Sequence, residues 1–350
     1  MSASAAPPLQ FAIRQLAMGH SLSEAESRAA FGAVMQGEAT SAQIAALLVG
    51  LRVKGETADE VAGAADAMRA AMIRLPASRP GDLVDTCGTG GGAIGTFNIS
   101  TAAALLAAGL GVRVAKHGNR SFTSQCGSAD VLEALGVPVE VSVEVMEQAL
   151  RDAGIVFMFA PLMHPAMRHV GPVRRELAIP TVMNIVGPLA NPAGAGRQVV
   201  GVADAKRVAL IAGALRALNT VHALVVHGEP GMDEVSPLGT TRVVEICDGS
   251  VREWSIDPAR HGFSTGDAGE LAGGPPAENA AAIEAVLSGA APATAVAAVV
   301  LNAAAALFVA PGGPTDFGDA IVAARSGLAN GAGIDALNRL RVAQGSSNGR

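Results

Sequence analysis

The sequence predicts an α/β protein in which a small all-helical N-terminal domain precedes a larger α/β domain with a mainly parallel central sheet. Between about Leu9 and Leu75, apolar residues recur only three and four positions apart, as they do in helices. After the breaker segment 76–81, short β runs alternate with helical stretches, a pattern typical of βαβ units. From Glu278 onward the chain is again mostly helical and rich in alanine.

The predicted domain boundaries follow from these changes of pattern. Residues 1–78 form the helical domain, and residues 79–164 and 196–350 form the α/β domain. The polar, proline-punctuated segment of about 165–195 is predicted to return to the helical domain before the sheet resumes.

The individual elements take their boundaries from caps, periodicity and turns. Ser21 with Glu24, and Thr57 with Glu60, fit capping boxes and indicate helix starts among the three or four helices of the first domain. A hairpin is predicted over residues 241–256, folded about an Asp-Gly turn. The other predicted strands are 83–87, 112–116, 155–160, 198–203 and 223–227, and the predicted helices of this domain are 100–108, 143–152 and 206–218.

Composition and charge exclude several classes of protein. The 350 residues include 25 Lys plus Arg and 31 Asp plus Glu, a net charge of −6, and 50% are hydrophobic. Such apolar content excludes a disordered chain, while an acidic total with 3% aromatic residues argues against a nucleic-acid binder. The longest apolar stretch, residues 295–310, contains Asn302 and is too short to cross a membrane. Residues 1–8 lack the pattern of a signal peptide, so we expect a cytoplasmic protein.

Five glycines gather within the eight residues 88–95, directly after a predicted strand and before a predicted helix. In this context backbone N–H groups and the helix dipole can cradle a phosphate. The loop matches a Walker A motif only in part, because the lysine is missing. It also matches a dinucleotide fingerprint in part, but the next strand ends in Lys116-His117 instead of an acidic residue. A tight turn would account for one or two of the glycines.

Three further segments carry polar groups suited to a polyanion. Residues 116–124 offer cations, an amide and hydroxyls where a predicted strand ends, which is where open α/β sheets bind ligands. Asp233 and Glu234 follow another strand, and in a turn both carboxylates can converge on one Mg²⁺ ion. In the segment 164–177, Arg174 could pair with a substrate carboxylate, or with Glu176 as a surface ion pair.

These stretches resemble the anthranilate phosphoribosyltransferase family over nearly the whole chain. The specific parts are DTCGTGGGAIGTFNIST at 85–101, KHGNRSFTSQCGSADVLEALGV at 116–137, residues 171–192, and GMDEVS at 231–236. The resemblance implies a nucleoside-phosphorylase-like architecture, a homodimer formed through the helical domain, and Mg²⁺. It also implies transfer of the phosphoribosyl group of phosphoribosyl pyrophosphate to the amine of anthranilate, which releases pyrophosphate in tryptophan biosynthesis.

The resemblance also assigns residues to roles. It places Lys116, Asn119 and Arg174 as catalytic residues, with Asn119 and Arg174 contacting anthranilate and His117, His164 and Pro188 nearby. It implies Ser100, Asp233 and Glu234 as metal ligands. The implied phosphoribosyl pyrophosphate site comprises Gly88, Gly91, Gly92, Thr96, Asn98, Ile99, Ser100, Thr101, Lys116, His117, Gly118, Asn119, Arg120, Ser121, Phe122, Thr123, Ser124 and Ser128.

The sequence departs from the family pattern at three positions. Gly92 stands where the glycine loop usually has Asp, Pro180 stands where an Arg is usual, and Thr123 replaces a Ser. The alternatives are a paralogue of the same fold with another acceptor, such as a nucleoside phosphorylase, and a non-catalytic nucleic-acid-binding homologue. The paired acids and the 116–120 block disfavour the first, and the net charge disfavours the second.

Overall fold

The structure is a computed structural model that describes residues 7–121, 125–264 and 266–345. The chain divides into two compact units: Met1–Arg74 with Pro161–Pro192 and Ala209–Asn219, and Leu75–Ala160 with Ala193–Val208 and Thr220–Arg350. Residues 209–219, predicted in the α/β domain, belong instead to the helical unit. Within that unit, Gly213 approaches Ala58 so closely that a Cβ at Gly213 would lie 2.8 Å from the Ala58 methyl carbon.

Fifteen α-helices and seven strands occur within the described ranges. The helices are α1 (Pro8–Ala17), α2 (Glu24–Met35), α3 (Ser41–Lys54), α4 (Ala58–Ala71), α5 (Ile99–Gly109), α6 (Ser128–Ala134), α7 (Val143–Asp152), α8 (Ala160–Met163), α9 (Gly171–Leu177), α10 (Met183–Val186), α11 (Val208–Ala217), α12 (Pro276–Leu287), α13 (Ala293–Val309), α14 (Phe317–Ala329) and α15 (Ala332–Gly345). The strands are β1 (Val84–Gly88), β2 (Val114–Gly118), β3 (Ile155–Phe159), β4 (Arg197–Gly201), β5 (His222–Gly228), β6 (Thr241–Cys247) and β7 (Ser250–Ile256).

Capping boxes start three successive helices of the helical unit. The box of Thr57 and Glu60 at α4 is confirmed. The predicted box at Ser21 is wrong, because α2 is capped by Ser23, whose Oγ accepts the Glu26 N–H while the Glu26 carboxylate accepts the Ser23 N–H. A third box of the same kind, not predicted, caps α3.

The α/β unit contains one seven-stranded sheet of order β3-β2-β1-β4-β5-β6-β7. Strands β1 to β5 pair in parallel, and β6 and β7 add an antiparallel hairpin, so the predicted fold class is confirmed. Because parallel strands share an orientation, β1, β2, β4 and β5 all end at the same edge of the sheet. Each of these four strands ends in a glycine. The second strand begins at Val114, two residues later than predicted.

The core of the α/β unit is built largely from alanine-rich helices. Fifteen of the seventeen residues of α13 are buried, and α13 packs against α5 and α14. Small alanine side chains allow such close helix packing. No helix in the described ranges is long and apolar enough to cross a membrane.

Candidate active site

An acidic turn, residues 231–236, folds back over the carboxyl edge of the parallel strands. After β5 the chain reverses, with the Met232 N–H donating to the Gly228 carbonyl at 2.7 Å. The turn fits because the strand ends carry no side chains. A Cβ on Gly201 would lie 1.6 Å from the Asp233 carbonyl oxygen, and one on Gly88 would lie 2.3 Å from Asp233 Oδ2. Because these strands end in glycine, Asp233 can pack directly against the edge of the sheet.

Sequence reasoning identified Gly88 but missed Gly201 and Gly228. A Cβ on Gly228 would lie 2.6 Å from the Glu234 carbonyl oxygen, so this position too is closed to a larger residue. Part of the signal was present in the sequence, since Gly88 and Gly228 directly follow the predicted strands 83–87 and 223–227, and Gly201 lies within the predicted strand 198–203. A glycine that recurs at successive strand ends indicates backbone that is approached closely.

The glycine loop, residues 88–95, lies against the acidic turn. The Gly90 N–H donates to Asp233 Oδ2 at 2.8 Å, and the Ala93 N–H donates to the Gly231 carbonyl at 2.9 Å. Gly90 and Gly91 have φ values of +71° and +76°, which favour glycine. One loop amide, the Gly90 N–H, therefore already donates to the Asp233 carboxylate.

Lys116 lies beneath this turn, and only 3% of it is exposed. Its Nζ donates to the Thr86 carbonyl at 2.6 Å and to Ser100 Oγ at 3.3 Å. Burial lowers the pKa of the Lys116 ammonium, although the charges of Asp85, Cys87 and Glu234 act in the opposite direction. The ammonium group is thus held inside the protein by its hydrogen bonds.

The carboxyl groups of Asp233 and Glu234 both lie in surroundings that disfavour their ionised form. Burial raises the pKa of Asp233 against the opposing hydrogen bond from Gly90. Burial and the charge on Asp233 raise the pKa of Glu234 well above its usual value, while Lys116 and the Ser100 N–H act to lower it. Two carboxylates that resist ionisation side by side are the groups that a divalent cation would stabilise. Together with the Ser100 hydroxyl, these carboxyls could offer oxygen ligands of the kind that Mg²⁺ prefers.

A second cluster of possible metal ligands lies on β5 and β6. Among the described residues, one ligand atom each from His222, Glu245 and Cys247 lie within 4.8 Å of one another. Glu245, however, already accepts hydrogen bonds from His222, Arg252 and Trp254. Burial pushes the pKa of Glu245 upward, but these three donors outweigh it and lower the pKa to about 2. The carboxylate is therefore engaged in an ion-pair cluster.

The remaining residues of the glycine loop and α5 are mostly occupied within the fold. Asn98 precedes α5, and its Nδ2 donates to the Cys126 carbonyl while its Oδ1 accepts from Asn279 at 2.9 Å. Thr96 forms an isolated bridge with Ala272, while Ile99 and Thr101 are buried. Within the described ranges, Thr101 Oγ1 has no hydrogen-bond partner.

Arg120, predicted to contact the substrate, instead faces three carboxylates. It forms ion pairs with Asp130, Glu133 and Glu140 and lies over the Phe159 ring. The hydrogen bonds to Glu133 and Asp130 raise the pKa of its guanidinium. The ion pairs of Arg120 with Asp130 and Glu133 therefore link the segment after β2 to α6.

The neighbours of Arg120 surround the carboxyl end of β2. Asn119 Oδ1 accepts the Arg120 N–H at 2.8 Å, and the His117 N–H donates to Asp85 Oδ1 at 3.3 Å. Ser128 donates to the Asn119 carbonyl and occupies the space beside Gly118, while the Ser121 N–H donates to Asp130. Phe122, Thr123 and Ser124 lie outside the described residues.

The helical unit carries the other three predicted site residues. His164 is buried, which lowers the pKa of its imidazole to about 4 against a hydrogen bond to the Ala190 backbone. Arg174 lies on α9, and burial alone lowers its pKa. Within the described part of the chain, no carboxylate lies within 4.0 Å of its guanidinium, so the alternative ion pair with Glu176 is absent. Pro188 is half-buried in a short turn.

Known proteins are similar to this chain over both of its units. The α/β domain of a glycosyl transferase family matches residues 80–334, and the helical bundle domain of that family matches residues 10–72. The chain is 48% identical to anthranilate phosphoribosyltransferase of Anaeromyxobacter dehalogenans, over 96% of this chain and 98% of that protein. It is also similar to the crystal structure of anthranilate phosphoribosyltransferase from Thermus thermophilus, with 42% identity and a TM-score of 0.89 over 95% of this chain and 99% of that one. The Saccharomyces cerevisiae enzyme in complex with phosphoribosyl pyrophosphate and Mg is 26% identical, with a TM-score of 0.87 over 97% and 98%.

Proposed function

This chain belongs to the anthranilate phosphoribosyltransferase family, and we propose on that premise that it joins the phosphoribosyl group of phosphoribosyl pyrophosphate to the amine of anthranilate. Pyrophosphate is the leaving group, and the reaction is a step of tryptophan biosynthesis. The observation that carries the proposal is the meeting of Asp233, Glu234 and Ser100 at the carboxyl edge of the sheet, against a glycine loop whose amide already binds a carboxylate.

Asp233, Glu234 and the Ser100 hydroxyl are the residues that would hold Mg²⁺. The bound ion would supply Lewis-acid neutralisation of the charge that builds on pyrophosphate as it leaves. The role of Lys116 follows from its contacts: its ammonium group orients Ser100 Oγ and offsets the negative charge of Glu234. We therefore assign Lys116 to positioning the metal ligands, whereas the resemblance implied a catalytic residue within the phosphoribosyl pyrophosphate site.

The glycine loop and the start of α5 supply the phosphate contacts in this proposal. The Gly90 N–H donates to Asp233 Oδ2 and is the donor that can turn to a phosphate oxygen. The N-terminus of α5 contributes the positive end of its dipole. Asn119 remains a proposed substrate contact of the α/β unit.

The acceptor amine needs little proton transfer before it attacks. An aromatic amine is uncharged at neutral pH, so departure of pyrophosphate from an oxocarbenium-like centre is the harder task. Holding the acceptor in line is then the main contribution of the protein. Arg174, which has no acidic partner among the described residues, is the proposed bidentate contact for the anthranilate carboxylate.

The proposal includes a homodimer that forms through the helical unit. Six large apolar side chains are exposed among the described residues of this unit, which supports an interface there. They are Phe11, Met18, Val53, Ile73, Leu162 and Ile179. Val53 is 82% exposed, so Val53→Glu should shift the protein towards monomer in light scattering. If the variant still has the mass of a dimer, the interface does not include Val53. We also propose a cytoplasmic location, because the reaction is a step of amino-acid biosynthesis.

The direct test is the loss of anthranilate fluorescence in the presence of phosphoribosyl pyrophosphate. We expect the loss with Mg²⁺ and none when the metal is chelated. A chain that consumes no anthranilate but cleaves a nucleoside with phosphate would instead be a phosphorylase of the same fold. Retention on heparin at moderate salt, without either activity, would support a nucleic-acid-binding homologue.

A further inference from the structure

Asn302 lies in the middle of α13, within a helix face of alanine, valine and leucine, and only 4% of it is exposed. Its side chain nevertheless makes three hydrogen bonds. Oδ1 accepts the Val235 N–H at 2.9 Å, and Nδ2 donates at 2.9 Å to the Val235 carbonyl. The second N–H of the amide donates to the Ala298 carbonyl, one helical turn earlier, also at 2.9 Å.

This arrangement fixes the amide at both ends. The bond to Ala298 ties the side chain to its own helix and therefore restricts its rotamer. The other two bonds engage both backbone polar groups of one residue, as a neighbouring β-strand would. A buried amide is costly when unpaired, so its full pairing here makes a rigid contact between α13 and the acidic turn.

Val235 directly follows Glu234, and it is fully buried. The amide of Asn302 thus holds the acidic turn from its carboxyl-terminal side, while Gly201 and Gly228 seat it on the sheet from below. A shift of Val235 would carry the Glu234 backbone with it. The direction of the Glu234 carboxylate towards the Ser100 N–H and Lys116 depends on that backbone.

We propose that Asn302 is a positioning residue that sets the geometry of the Asp233–Glu234 pair for a divalent cation. The proposal rests on the proposed function only in taking these two carboxylates as metal ligands. Asn302 touches neither substrate nor metal, and it acts through the Val235 backbone.

Gln344 on α15 provides a matched control. Its Oε1 accepts the Phe157 N–H at 3.1 Å, and its Nε2 donates to the Pro138 carbonyl at 3.1 Å and the Phe157 carbonyl at 3.5 Å. Gln344 is therefore also a fully buried amide that clamps the backbone of one residue, but on β3 instead of the acidic turn. Asn302→Leu and Gln344→Leu each remove a buried side-chain amide and its hydrogen bonds, the first at the acidic turn and the second at β3.

Two measurements on the full-length variants test the proposal without relying on turnover. The first is amide hydrogen exchange of the peptide spanning residues 231–240 in metal-free protein. The second is Mn²⁺ binding in the presence of pyrophosphate, followed by electron paramagnetic resonance. We expect Asn302→Leu to speed exchange in this peptide and weaken Mn²⁺ binding, each by about tenfold or more, while Gln344→Leu leaves both as in the wild type.

Equal exchange and equal Mn²⁺ affinity in the two variants would overturn the proposal. If Asn302→Leu does not fold, Asn302→Asp serves instead, since it keeps an acceptor for the Val235 N–H but lacks the N–H donors. It should fall between the wild type and the leucine variant, and wild-type values for it would count against the proposal. Should the wild type fail to consume anthranilate, the exchange and Mn²⁺ results still decide the role of Asn302.

Discussion

Replacing Gly201 with alanine tests whether the close seating of the acidic turn sets its chemistry. The added Cβ would lie 1.6 Å from the Asp233 carbonyl oxygen and 2.4 Å from its carbonyl carbon. Both are backbone atoms, so no flexible side chain can swing away. To reach 3.0 Å, below which Cβ contacts essentially never occur, the Asp233 backbone must move by about 1.4 Å. Since β4 is paired on both sides, the acidic turn must take up the shift.

The size of the effect follows from this displacement. Overpacking of this kind costs about 1–3 kcal/mol of stability. A misplacement of about 1 Å at a reacting site can lower the rate by roughly 10²-fold. We therefore expect Gly201→Ala to lower kcat/KM by about 10²-fold, which corresponds to about 2.7 kcal/mol of transition-state stabilisation. The protein should remain folded with a modestly lower melting temperature.

The assay is the rate of anthranilate fluorescence loss over a Mg²⁺ titration, with circular dichroism to confirm folding. Gly81→Ala is the control, because Gly81 precedes β1 and lies outside the glycine loop, does not have a positive φ, and a Cβ there would meet nothing within 4 Å. We expect the control to keep wild-type turnover and Mg²⁺ dependence. Wild-type kcat/KM in a folded Gly201→Ala variant would refute the reasoning that the glycine seats Asp233.

Three other outcomes follow from the charges of the site. Asp233→Asn with Glu234→Gln should abolish Mg²⁺-dependent turnover yet leave the melting temperature unchanged or higher, because burial raises the pKa of both carboxyls; retained turnover would remove them as metal ligands. Arg174→Ala should chiefly raise the KM for anthranilate, and an effect confined to phosphoribosyl pyrophosphate would contradict its role. The pKa of His164 is about 4 in the folded protein and about 6.5 unfolded, so only the unfolded state gains this proton between these pH values. Stability should therefore fall as pH drops from 6.5 to 4, by on the order of 3 kcal/mol from this residue, and urea unfolding of His164→Leu should show a shallower slope; an identical slope would assign the loss to other groups.

Local patterns predicted the fold well because local chemistry determines them. The Thr57 capping box and the hairpin at residues 241–256 depend on residues a few positions apart, and the sequence shows both. The cap of α2 was misplaced by two residues because Ser21 and Ser23 are each followed three positions later by a glutamate. Only the orientation of the chain entering the helix decides between them.

Residues that act across long separations could not be predicted in the same way. Arg120 looked like a phosphate contact because it is a cation just after a strand, but carboxylates 10, 13 and 20 residues later neutralise it once α6 packs beside β2. Asn302 looked like a polar interruption of an apolar helix, and its partner Val235 lies 67 residues earlier. Such pairings become visible only when the sheet and its helices are assembled.

The absence of a carboxylate at Gly92 can be understood from the contacts of Asp233. A Cβ at Gly92 would lie 3.4 Å from Asp233 Oδ1 and 3.2 Å from the Gly231 carbonyl oxygen, so an Asp there would bring a third negative group towards two carboxyls whose pKa values are already raised. With glycine at this position, two hydrogen bonds tie the loop to the acidic turn, from the Gly90 N–H to Asp233 and from the Ala93 N–H to the Gly231 carbonyl. The dense glycine cluster therefore serves two purposes in this chain: it offers amides to an anion, and it lets the loop rest on the carboxylates that are proposed to bind the metal.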